Sequence, residues 1–239
     1  MGVLMRRLLA AIAIVLLAAG FAMADRDAAE TLNARGYESY KQAEYGAAVD
    51  LFQRAIKADK TYGLAHYNLA CTLGVLRQRG EVCDYDAYRS TITFHLEQTL
   101  KHLPEKRAKM LTDPDLKSVR DTLFFQHLRG LSPKREADIR QILVNVKWYG
   151  PSPGAYGPVG GVDFRADGTV RMWSIEIDDN PRRVACEGNF RLDGREVILT
   201  FPKGFHGKKK LTGVFKKNGA LVFESLGWTM TDDPDECSA

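Results

Sequence analysis

Apolar and polar positions follow two different periods along this chain, and the change falls near Gly130. Between Asp25 and Gly130 apolar residues recur three and four apart, the spacing of a helix face turned to a core. Ala34, Tyr37 and Tyr40 form one such stripe, and Ala48, Phe52, Ala55 and Ile56 form the next. Small residues at Gly36, Ala48 and Ala55 let two helices approach closely, while Tyr40, Tyr45 and Phe52 fill the space between them. Further on, Asp113 is placed to cap a helix with Pro114 at its first position, and Gly130 to close the last helix. The polar stretch after Gly130 predicts a short linker helix over 132–143. From Val144 the period drops to two, with Val144, Val146 and Trp148 on one face of a strand.

A short motif then recurs three times: Phe164 to Gly168, Phe190 to Gly194 and Phe215 to Gly219. Each ends in Asp-Gly or Asn-Gly, which supplies the positive φ of a tight turn, and each is followed by an apolar strand. Gly161, Gly188 and Gly213 precede the three motifs. Each repeated Phe is expected to point inward beside its turn. The pattern predicts an α+β chain of two domains. A helical domain over 25–131 is followed by an antiparallel β-meander over 144–239, with seven or eight strands that close into a small barrel or curl into a bent sheet.

The first 24 residues stand apart. Arg6-Arg7 precede the apolar run Leu8–Ala19, and Ala22-Met23-Ala24 is an A-x-A site followed by polar residues. This is the form of a secretory signal peptide, so 1–24 is expected to be removed and the protein to be periplasmic or secreted in a bacterial envelope. The run is short for a membrane span, and none is expected after cleavage, although association with the envelope stays open. Without Arg6 and Arg7, the 34 basic residues become 32 against 30 acidic ones, a balance that does not call for nucleic acid.

The segment Leu32 to Tyr62 resembles a tetratricopeptide repeat. Leu32, Gly36, Tyr40, Tyr45, Ala48, Phe52 and Ala55 match the family's small-and-large pattern in order, with a departure at Lys60, where the family usually has proline. A second copy starts with "GLAHYNLACTLGVL" and carries Ala65, Leu69 and Ala70 in the expected places. Roughly ten extra residues, "RQRGEVCDYD", then displace its second helix, which Pro104 ends. The resemblance implies a groove lined by the first helix of each repeat, with Asn33, Tyr37, Tyr40, Lys41, Tyr67 and Asn68 facing a protein or peptide partner. Asparagine can hold a peptide backbone at both donor and acceptor, and tyrosine adds apolar area with a polar tip. Packing between helices is the competing role for Tyr37 and Tyr40. The hairpin rhythm of the second half resembles small lipocalin-like bacterial domains.

Catalytic chemistry is hard to assemble from these residues. Gly150-Pro151-Ser152-Pro153-Gly154 spells G-x-S-x-G, but the residue after Ser152 is a proline, with no N–H for an oxyanion hole. The segment reads instead as a stiff loop in which Tyr149 and Tyr156 are contact residues for a partner. The five histidines lack metal-ligand spacing, and "DDPDEC" lacks the order of a calcium loop. The expectation is therefore no catalytic residue, no metal site and no cofactor. The function expected is exported protein–protein interaction, and a lipocalin-like carrier of a small apolar ligand is the alternative. Four cysteines in an exported chain suggest disulfides, with Cys71–Cys83 and Cys186–Cys237 the expected pairs, and four free thiols or a pairing across the two domains the alternatives.

Overall fold

The computed structural model describes residues 25–151, 158–176, 182–234 and 237. It is an α+β protein in two parts, helices first and an antiparallel sheet second. Helix α1 occupies the described residues 25–41, and α2 Tyr45–Ala58 folds back on it after a turn at Ala43, whose φ is 59°. Phe52 is fully buried against Gly36, where an added Cβ would lie 2.7 Å from the ring. The small-and-large pattern thus works as steric complementarity between the two helices. A second pair follows, α3 Gly63–Gln78 and α4 Arg89–His102, with the extra residues forming turns between them.

The closing helices are shorter than the sequence pattern suggests. A 3₁₀ turn Pro104–Lys106, helix α5 Arg107–Thr112 and a second 3₁₀ segment Pro114–Val119 lead to α6 Leu123–Leu128. Asp113 does cap the second 3₁₀ segment, accepting from Asp115 N–H at 3.2 Å, and Gly130 sits at φ 88° after α6. Met110, Leu116, Val119 and Phe125 join Leu69, Leu73, Ile92 and Leu96 in one buried cluster, so these pieces cover the apolar face of the two helix pairs.

Helix α7, Glu136–Asn145, takes in Val144, which therefore lies in a helical turn and not on a strand face. The sequence V-N-V-K-W alternates across the junction, so its period of two hides the end of the helix. Ile139, Ile142 and Leu143 of α7 are fully buried in the core of the sheet. The sheet runs in chain order through β1 Trp148–Tyr149, β2 Gly160–Phe164, β3 Thr169–Glu176, β4 Arg182–Asp193, β5 Glu196–Phe205, β6 Lys208–Phe215, β7 Leu221–Phe223 and β8 Trp228–Met230. Every neighbouring pair is antiparallel. Among the described residues a single bridge, Tyr149 to Thr231, joins the two edges, with backbone hydrogen bonds of 2.8 and 3.0 Å, and makes the sheet a nearly closed barrel.

Phe164, Phe190 and Phe215 are buried inside, as the repeated motif predicts. Gly213 lets the ring of Phe223 lie flat against the strand, since a Cβ there would meet it at 2.6 Å. With Trp148, Phe201, Phe205 and Phe223 also buried, aromatic side chains fill the interior. The end bearing the three repeated turns meets the helices. Arg140 Nη2 donates to Ala166 O at 3.3 Å, Arg195 Nη2 to Pro133 O at 2.7 Å, and Gly219 packs on Leu123.

One disulfide joins the two parts, Cys83 to Cys237. This corrects the expected pairs: Cys71 and Cys186 are free thiols, Cys71 buried and Cys186 half-buried with its Sγ against Gly204 O at 3.0 Å. The insertion carrying Cys83 lies near the chain's tail and not back along α3. Leu123 N–H donates to Asp232 Oδ2 at 2.7 Å on the same side of the molecule. Among the described residues no helix is long and apolar enough to cross a membrane.

Candidate functional site

Two helices and the segment that follows them enclose a groove of about 610 Å³ in the helical part. From α1 come Asn33, Tyr37 and Tyr40, and from α3 come Tyr67, Asn68 and Cys71. The third wall is the stretch holding Lys106, Lys109, Asp113 and Asp115. That wall can lie against α3 because residue 74 is glycine. A Cβ at Gly74 would stand 2.3 Å from the carbonyl oxygen of Asp115, an impossible approach. Gln78 Nε2 then donates to Asp115 O at 2.9 Å, and Ser118 Oγ donates to Gly74 O at 3.2 Å.

The floor is acidic and hydroxyl-rich. Tyr67 donates to Asp113 Oδ2 at 2.5 Å and Tyr40 to Asp115 Oδ2 at 2.6 Å. Burial foremost, then the Asp115 carboxylate, holds the Tyr40 hydroxyl far above the ordinary phenol range. Tyr67 is raised by burial, then by the Cys71 sulfur and by Asp113, so both hydroxyls stay protonated and donate. Burial raises the Cys71 thiol well above its usual range, with help from Asp113 and Asp115, which keeps it a thiol and a poor nucleophile. Asp115 is also raised, first by burial and then by the neighbouring Asp113, while Tyr40 and Lys109 oppose the shift. Ligand atoms of Cys71, Asp113 and Asp115 lie within 4.8 Å of one another. They are the donor set in the groove that could hold a small cation, although tyrosine hydroxyls already occupy one oxygen of each carboxylate.

Five of the six residues expected to face a partner line this groove: Asn33, Tyr37, Tyr40, Tyr67 and Asn68. Their burial differs from the expected solvent-facing arrangement. Asn33 is only 5% exposed, and its Oδ1 accepts from Asn68 Nδ2 at 2.9 Å, so the two asparagines tie α1 to α3. Tyr37 is 48% exposed and stacks on Tyr40 with ring centres 6.2 Å apart. Lys41 sits outside the lining, pairing with Glu38 at 2.7 Å and lying over the Tyr37 ring at 5.5 Å. Lys106 lies over the Tyr67 ring at 5.1 Å, and Lys109 stands 3.7 Å from Asp113.

In the sequence the "DPD" of 113–115 reads as a helix cap, and the site it builds is not evident there. Its signal was available: two carboxylates flank a proline that fixes the local turn, so both project from one short segment. The loop candidate divides. Ser152 and Tyr156 lie outside the described residues. Tyr149 is not on a loop but in β1, half-buried at the barrel seam under the guanidinium of Arg89, 5.6 Å from its ring centre. No protein-family model matches the chain, and no curated protein matches its sequence.

Proposed function

We propose that this is an exported, non-enzymatic interaction protein that holds an extended segment of a partner protein in the groove between α1, α3 and residues 104–115. The helical part reads as two tetratricopeptide-like repeats closed by short helices, and the β part as a rigid body that seats them. The carrying observation is the convergence of Asn33, Tyr37, Tyr40, Tyr67 and Asn68 on one open groove, with Tyr37 exposed at its mouth. Exposed aromatic side chains at a groove give large contact area at low entropic cost. A disulfide linking the two parts fits an oxidising compartment, which supports export. The carrier alternative lacks comparable support, because aromatic side chains pack the barrel interior.

A photoreactive amino acid at position 37, activated in intact cells, should crosslink a partner whose recovery falls when Asn68 is replaced by Asp. The same probe at Lys217, on a turn of the barrel, should not capture that partner. Equal capture from both positions would refute the groove as the binding site.

A further inference from the structure

Resting on that reading of the groove, we propose that its occupant presents a cationic side chain, arginine or lysine, to Asp115 on the floor. Asp113 and Asp115 hold carboxylate oxygens within 4.8 Å of each other, so two like charges share a half-buried space. Their partners are unequal. Asp113 has Lys109 at 3.7 Å, the Tyr67 hydroxyl and the Asp115 N–H. Asp115 has the Tyr40 hydroxyl, and among the described residues no cationic group forms an ion pair with it, although Lys109, paired to Asp113, acts on it electrostatically.

An occupant fills the groove and removes water from Asp115. A neutral or acidic side chain would leave that charge less solvated and still unpaired, which costs free energy. A guanidinium or ammonium group would pair with it through a charge-assisted hydrogen bond. The walls suit a cation as well. Lys41 lies over the Tyr37 ring and Lys106 over the Tyr67 ring, so the groove's tyrosines already take cationic neighbours. An occupant whose stem passes Tyr37 and Tyr40 therefore meets apolar, electron-rich faces before its charge reaches Asp115. Lys41 and Lys106 stand over these rings, and Lys109 forms its ion pair with Asp113 and not with Asp115.

The test uses the full mature chain and a displayed library of random decapeptides. Peptides selected on the wild type, and lost on Tyr37→Ala, define groove binders. The expected result is that they share an arginine or lysine. Replacing that residue by citrulline or norleucine in a synthetic copy should weaken binding about tenfold, the factor expected of one charge-assisted hydrogen bond. Asp115→Asn, which keeps an acceptor for Tyr40, should erase the difference between arginine and citrulline. Groove binders without a basic residue, or equal affinity for the citrulline copy, would overturn the charge proposal while leaving the groove as a binding site. Selected peptides that all bind Tyr37→Ala unchanged would overturn both. The citrulline comparison on wild-type protein needs no variant to fold.

Discussion

Replacing Cys83 by serine removes a covalent tie between the insertion in the helical part and the tail behind the barrel. The bridge spans 154 residues of sequence. In the chain-entropy account a loop of that length restricts the unfolded chain by about 5 kcal/mol at room temperature. For a protein of this size that corresponds to a fall in melting temperature of roughly 10–20 °C. Thermal unfolding of wild type, Cys83→Ser, Cys237→Ser and Cys71→Ser, each with and without reductant, measures it. The first two variants should melt together, low, and ignore reductant. Cys71→Ser should keep the full reductant response, since that thiol is free. A reductant response in Cys83→Ser as large as that of wild type would place the bridge on other cysteines. A shift under about 2 °C would refute the chain-entropy argument for this tie.

Two further outcomes follow from the helical part. His66 and His95 face each other through their Nδ1 atoms at 2.9 Å, and His66 Nε2 donates to Lys60 O at 3.1 Å, so the pair has room for one shared proton. Burial lowers both imidazoles, His95 to about 4, so the folded protein binds fewer protons than the unfolded chain from about 4 up to the ordinary value of 6.5. Stability present above pH 6.5 should fall as pH drops toward 4, by on the order of 2 kcal/mol. Asp115 and Asp232, whose carboxyls are raised, act in the opposite sense, so the readout is the difference between wild type and His95→Asn in melts at pH 7.5 and 4.5. An identical pH slope in the variant would exclude His95. Gly74→Ala should cost about 1–3 kcal/mol by pushing α3 from the segment bearing Asp113 and Asp115, and should weaken groove binding. A Gly74→Ala protein with wild-type melting and binding would refute the close approach.

The parts of the fold that were legible in the sequence are those set by nearest neighbours. Gly36 beside Phe52 needs only two adjacent helices, and the three Asp-Gly or Asn-Gly turns each dictate their own hairpin. The parts missed depend on distant segments meeting. The Cys83–Cys237 pairing, the contact of His66 with His95 and the Asp232 bond to Leu123 have no local sequence signal. Helix α7 reads in the sequence as a short polar linker helix because its exposed face dominates its composition. Its apolar face, Ile139, Ile142 and Leu143, becomes informative only once a barrel end needs covering. In the groove, the residue types were readable while the burial of Asn33 was not, because the partner that covers it, Asn68, lies 35 residues on.

The barrel is built from hairpins, so each new strand finds its partner in the strand just made. The first strand is the exception. β1 pairs with β2 on one side, but its other edge stays open until Thr231 arrives. Asp232, which holds the start of α6, and Cys237, which closes the bridge to Cys83, follow within six residues. A chain stopped after Met230 would keep every hairpin and yet lose the seam, the α6 contact and the covalent tie together. These last residues act as a latch on work already done, and until they are in place the protein carries an unprotected strand edge open to other chains.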